Sequence, residues 1–310
     1  MLFGRIKRSA ELFKQAWSVL KSEPGLVLFP ILSGAALLVV VASFALPIVL
    51  SDELLGAFRQ VMDSADSKRA ATASGDSAAS TSARLIVWST MFAFYLVTSF
   101  VTIFFNAALI GAADKRLRGE ASGVREGLAI AMQRLPQILG WALVSAIIGT
   151  ILRCIEERVG FVGKFVIGFI GLAWAIGTYF VIPALVLDGV GPIEAVKRSA
   201  HTIKKTWGEG LVLAIGFGAI GFVVTLVCLM FIIAGVVLGV VNESAVLGVA
   251  VGSCGVLLMI AWSLVASTLG SIVQVALYRY ALDGTVLDGF DAGALKGAFA
   301  LKKAPKTAKA

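Results

Sequence analysis

Six stretches of this chain contain no aspartate, glutamate, lysine or arginine: residues 24–51, 85–113, 135–152, 165–187, 210–242 and 244–278. A helix needs about 20 apolar residues to cross the hydrocarbon core of a bilayer. The runs are continuous rather than alternating every second residue, which excludes a transmembrane barrel. The expected fold is all-α, a polytopic membrane helix bundle, with six spans at about 25–50, 85–112, 136–152, 165–187, 212–241 and 245–272. Composition agrees, since only 15% of the 310 residues are charged, against about 25% in a soluble domain.

The first run outlasts the ~7–15 residues of a signal-peptide core and is expected to remain as an anchor. Orientation follows from lysine and arginine, which gather on the cytoplasmic side of short loops. With the N-terminus inside, the inner segments hold 20 of the 27 basic residues and 11 of the 19 acids. The inner face then nets +9 and the outer face −1, which together make the chain's +8. The expectation is a plasma (inner) membrane protein with both termini cytoplasmic: a membrane domain over 1–283 and a basic cytoplasmic tail over 284–310. The positive charge is a topology signal, and nucleic acid is excluded as a partner.

Between the fourth and fifth spans the sequence turns polar. Pro192 suits the first position of a helix, in which Ile193, Val196, Ala200, Ile203 and Trp207 recur on one face. Lys197, Arg198, Lys204 and Lys205 lie on the other, with Glu194 and His201. That is the pattern of an amphipathic helix in the membrane interface, and the four basic residues are candidate contacts for anionic lipid headgroups of the inner leaflet. A helix packed on the ends of its own bundle would show the same pattern. Related helices precede the other odd spans: Phe3, Ile6, Ala10, Phe13, Trp17 and Leu20 form one stripe, and Val124, Leu128, Ala131 and Leu135 another. The even spans also exit alike, in "FFNAALIGAADKRLRG", "YFVIPALVLDGVG" and "IVQVALYRYALDG". A threefold repeat of amphipathic helix plus transmembrane hairpin is the expected construction.

Pro183, the turn from Asp188 to Gly191 and "EAVKRSA" at 194–200 resemble the six-span membrane domain attached to bacterial glycerophosphodiester phosphodiesterases. The N-terminal "SAELFKQAWSVLKSEPGLVLFPILS" resembles a family of uncharacterised bacterial six-span integral membrane proteins within that group. The resemblance covers most of residues 1–283 and its motifs are architectural. The phosphodiesterase's acid and histidine motifs have no counterpart here, so it implies a fold and a membrane rather than a reaction.

Residues that carry chemistry are scarce. The single histidine, His201, lies between Lys197 and Lys204 with no nucleophile nearby in sequence. No Cys/His grouping has metal spacing, and "GFVGK" at 160–164 is too short for a phosphate loop. Cys154, Cys228 and Cys254 are expected to be small buried apolar residues. No catalytic residue, metal or cofactor is expected. Intramembrane polarity comes from Thr98, Ser99, Thr102 and Asn106 in span two and from Ser263, Ser267, Thr268, Ser271 and Gln274 in span six. Asn106, Ser267, Ser271 and Gln274 are the candidate polar cavity, and the competing reading is hydrogen bonding between helices. Gly235 and Gly239 face Gly248 and Gly252 across the Asn242–Glu243 turn, so spans five and six should pack closely. The outer segment opens with a short amphipathic helix around Leu54, Phe58, Val61 and Met62, and 71–83 is a polar linker expected to be disordered.

Two functions fit this inventory. One is a non-enzymatic multi-pass membrane protein, a scaffold or lipid-interacting accessory at the inner leaflet. The alternative is a permease for an uncharged or lipidic solute, using the polar patch on spans two and six.

Overall fold

The computed structural model describes residues 2–56, 58–59, 78–156, 159–206 and 210–291, and among these no strand occurs. The elements are α1 (Leu2–Ser22), a 3₁₀ turn (Pro24–Val27), α2 (Leu28–Leu50), α3 (Ala78–Leu117), α4 (Val124–Gln133), α5 (Leu135–Glu156) and α6 (Phe161–Gly177). A helical turn (Val181–Pro183) and a π segment (Ala184–Asp188) follow, then α7 (Pro192–Thr206), α8 (Gly210–Val241) and α9 (Ala245–Asp283). Six helical segments are long and apolar enough to cross a membrane: Pro24–Leu50, Leu85–Leu117, Leu135–Glu156, Gly163–Asp188, Gly221–Val241 and Ala245–Asp283. This is a membrane protein built as hairpins joined by short helices. The linker expected up to Ala83 gives way to α3 at Ala78, because Ala78, Ala79 and Ala83 favour helix. Residues 60–77, Trp207, the side chains of Phe3, Ile6, Ala10 and Lys205, and the tail from 292 onward lie outside the described residues.

The helices α3 and α9 have 40 and 39 residues, which at 1.5 Å per residue is about 60 Å, twice the ~30 Å hydrocarbon thickness. Both therefore outrun the bilayer, and both end in charged turns. The buried core gathers at those ends: Ile110, Ala113 and Leu117 of α3, Val181 and Leu185 of span four, Leu269, Ile272 and Tyr278 of α9, and Leu12 and Ala16 of α1. At the other ends of the spans, Leu50, Val241 and Val246 are 80%, 73% and 79% exposed. Apolar surface left bare over so many helices is what a bilayer covers.

Each even span closes alike. Gly119, Gly189 and Gly284, just past the ends of spans two, four and six, have φ of 76°, 70° and 73°, a left-handed stop that favours glycine. The Gly284 N–H donates to the Tyr280 carbonyl at 3.0 Å, completing the terminal turn of α9.

Among the described residues, α8 and α9 make the most extensive contact of any two helices. A methyl group built on Gly235 would come within 2.7 Å of the Gly252 Cα and 2.8 Å of the Gly248 oxygen, and one on Gly239 within 3.1 Å of the Gly248 Cα. The four glycines are not equivalent, however, because one on Gly252 meets nothing within 4 Å. Gly252 supplies backbone for Gly235 to approach, while the position its own Cβ would take is open. The cysteines differ in the same way: Cys228 is buried, Cys154 is intermediate and Cys254 is exposed, all with free thiols. Expecting all three to be buried was an error, since a span has a bare side as well as a packed one.

Candidate functional site

Span four is not a continuous helix, and its interruption organises the functional candidates. Proline has no N–H and its ring crowds the carbonyl four residues back, so Pro183 leaves the Tyr179 carbonyl without a helical donor. The chain responds by tightening: the Tyr179 N–H donates to Ile176 at 3.1 Å and the Val181 N–H to Thr178 at 3.0 Å, one residue short of helical register. That shift frees the Gly177 carbonyl and the Phe180 N–H as well. Unpaired backbone groups cost several kcal/mol in hydrocarbon, and side chains from two other elements take all three. The Ser199 hydroxyl of α7 donates to the Gly177 oxygen at 2.7 Å and accepts the Phe180 N–H at 3.0 Å. Gln274 of α9 donates its amide Nε2 to the Tyr179 oxygen.

Beside this break the Ser271 hydroxyl donates to Asn106 Oδ1 at 3.2 Å and to the Ser267 carbonyl at 3.1 Å. The structure thus brings together Asn106 and Ser271 of the polar patch, with Ser267 contributing its backbone, while Gln274 serves the Tyr179 carbonyl instead. Gln274→Met would strand the Tyr179 carbonyl. The expected loss is about 1–3 kcal/mol, read as a lower thermal midpoint in detergent. A midpoint equal to wild type would mean that another donor serves that carbonyl.

One turn further on, the ends of the even spans are tied by charge. Arg279 of α9 clasps Asp114 of α3 with both arms of its fork, Nε to Oδ1 at 2.8 Å and a terminal nitrogen to Oδ2 at 3.0 Å. The two side chains are only 16% and 9% exposed. Arg118 adds a 3.0 Å contact to the same carboxylate from its exposed position. Asp188, the last residue of span four, accepts the Tyr278 hydroxyl at 2.6 Å and the Arg198 guanidinium at 3.0 Å. Arg198 also reaches Glu194 at 3.3 Å, and Asp188 first and Glu194 second raise the guanidinium's pKa above its ordinary range. Arg134 donates to the Val186 carbonyl at 3.3 Å and lies across Gly189, its Cζ 2.7 Å from where a methyl group would sit. Asp114, Arg279, Tyr278 and Ser199 were not singled out by sequence, and Asp188 only as the start of a turn. The one available signal was the aspartate in each exit motif, at 114, 188 and 283.

The helix α7 is held by a face that overlaps only one edge of the apolar stripe. Ala195, Ser199 and Thr202 are buried and Val196 and Ile203 pack partly against the core, whereas Ile193 is 61% exposed and Ala200 is exposed. Small side chains let α7 lie close to the broken span, so the contact falls one step round the helix. Lys197, Lys204 and His201 are exposed. Arg198 is engaged with carboxylates, so the four basic residues are not alike.

The same offset occurs in α1, where Leu12, Ala16, Val19 and Leu20 are buried while Trp17 is 37% exposed. In α4, Gly127 and Ala131 are buried, and a methyl group on Gly127 would lie 2.6 Å from the Ala108 oxygen of α3. Among the described residues no group of three or more histidine, cysteine, aspartate or glutamate side chains is placed to hold a metal ion.

Residues 85–289 match the model described as "Family of unknown function (DUF6159)". The match spans well over half of the chain, and the protein belongs to that family. No curated protein matches it.

Proposed function

We propose that this member of a family of unknown function is a non-enzymatic multi-pass membrane protein that binds anionic phospholipid at the inner leaflet through α7. The observation that carries the reading is the three-sided surface of that helix. One side packs on the broken span through Ala195, Ser199 and Thr202. The next leaves Ile193 and Ala200 bare, and Lys197 and Lys204 border it. An apolar strip edged by lysines suits the acyl–headgroup boundary, and a helix already docked on the bundle loses little further freedom on binding lipid.

The finer reading has the same basis. The basic excess of the inner segments supports cytoplasmic termini in a bacterial inner membrane. The three left-handed glycines closing the even spans support a threefold repeat of interfacial helix and hairpin. The exit motif from Pro183 to Gly191 supports kinship with the membrane domain attached to glycerophosphodiester phosphodiesterases.

Native mass spectrometry in mixed phosphatidylglycerol and phosphatidylcholine tests the lipid contact. Changing Lys197 and Lys204 to glutamine should weaken retention of the anionic lipid by about 1 kcal/mol per charge, with the difference shrinking in high salt. Equal retention by variant and wild type would remove α7 as the lipid contact. The second reading, a permease for an uncharged or lipidic solute, is favoured by the interruption of span four, since discontinuous spans build the midplane sites of many transporters. Its polar groups, Asn106, Ser271 and Gln274, belong to α3 and α9 rather than α7, so it requires no change in that experiment.

A further inference from the structure

The inner end of span four is a separate short lever. It begins after the break at Thr178–Phe180 and ends at the left-handed Gly189, so little helical continuity carries it. Val181, Ala184 and Leu185 seat it in the buried core, and polar contacts tie its edges to its neighbours: Ser199 at the Gly177 and Phe180 backbone, Gln274 at the Tyr179 carbonyl, Arg134 at the Val186 carbonyl, and Tyr278 with Arg198 on Asp188. Two of these ties, Ser199 and Arg198, come from α7, the helix assigned above to lipid.

Arg198 is the member that can change partner. Its side chain is 42% exposed and is shared between Asp188 and Glu194, and such solvent-screened pairs exchange readily. A lipid phosphodiester is a matching acceptor for a guanidinium fork. Arg279 on Asp114 offers no such exchange, because both side chains are nearly enclosed. Tyr278 would stay on Asp188, but as a neutral donor.

We infer that anionic phospholipid bound along α7 competes with Asp188 for Arg198, and that this exchange loosens the inner segment of span four from the bundle. The inference rests on the lipid contact proposed above and adds its consequence. Lipid then acts as a ligand for the bundle's conformation, with Arg198 as the switch and Asp114–Arg279 as the fixed clamp. Linkage makes the coupling reciprocal: whatever weakens Asp188 as a partner for Arg198 must strengthen lipid binding.

Two measurements on the full chain in nanodiscs test it. Amide hydrogen exchange over residues 180–188 should be several-fold faster in discs containing phosphatidylglycerol than in discs of phosphatidylcholine alone. Arg198→Gln should exchange fast in both. Asp188→Asn keeps an acceptor for Tyr278 and should retain phosphatidylglycerol several-fold more strongly than wild type. Asp283→Asn, the same charge change at an exposed residue that does not bond Arg198, should not. Retained phosphatidylglycerol with lipid-independent exchange would overturn the switch and leave the lipid contact standing. Equal gains from Asp188→Asn and Asp283→Asn would also overturn it, as a bulk charge effect. Failure of wild type to retain phosphatidylglycerol would overturn both.

Discussion

Asp114→Ala is expected to destabilise the bundle by about 3–5 kcal/mol, the cost of leaving one partner of an enclosed ion pair without the other. Arg279 would keep its charge in a site where it is 16% exposed, with Arg118 a further cation beside it. The loss would be seen as a large drop in thermal midpoint in detergent and as early release of α9 from α3 in hydrogen exchange. A double variant, Asp114→Ala with Arg279→Met, should recover much of it, since removing both charges removes the uncompensated one. Wild-type melting by Asp114→Ala alone would mean that water solvates Arg279 or another carboxylate pairs with it, and the clamp would lose its standing as the fixed point where the even spans end.

Gly235→Leu is expected to force α8 and α9 apart. Even a methyl group there would sit 2.7 Å from the Gly252 Cα and 2.8 Å from the Gly248 oxygen, and backbone atoms cannot step aside as a flexible side chain does. Overpacking commonly costs about 1–3 kcal/mol and more where the obstacle is rigid. The control is Gly168→Leu, at a position with nothing within 4 Å, which should melt close to wild type. Gly252→Ala should also be mild, although its motif partner is not. Equal effects at Gly235 and Gly168 would refute close packing as the source of hairpin stability.

The contrast between Gly235 and Gly252 shows how far a motif reaches. Spacing places four small residues where two helices meet, and they do meet. Which glycine hydrogen points into the neighbour depends on the rotation of each helix about its axis, which a four-residue interval does not fix. The helices α1 and α7 make the same point with apolar periodicity. The stripe through Ile193 and Ala200 is real, but a helix pressed against protein on one side and bare on the next shows a single merged apolar arc. Sequence cannot divide that arc, and the division put Ser199 at the centre of the contact.

Charge-free runs by themselves determined the class of fold and the six spans, because lipid leaves a backbone few solutions and excludes charge over a whole span. Proline at 183 likewise determined that one carbonyl of span four would lose its donor. Only the tertiary structure decided who replaced it: Gln274 lies 95 residues from Tyr179, and Arg279 lies 165 residues from Asp114. Such partners are set by how the hairpins pack where the even spans end. A polar group's need is written locally, whereas the group that meets it belongs to whichever helix the packing brings alongside.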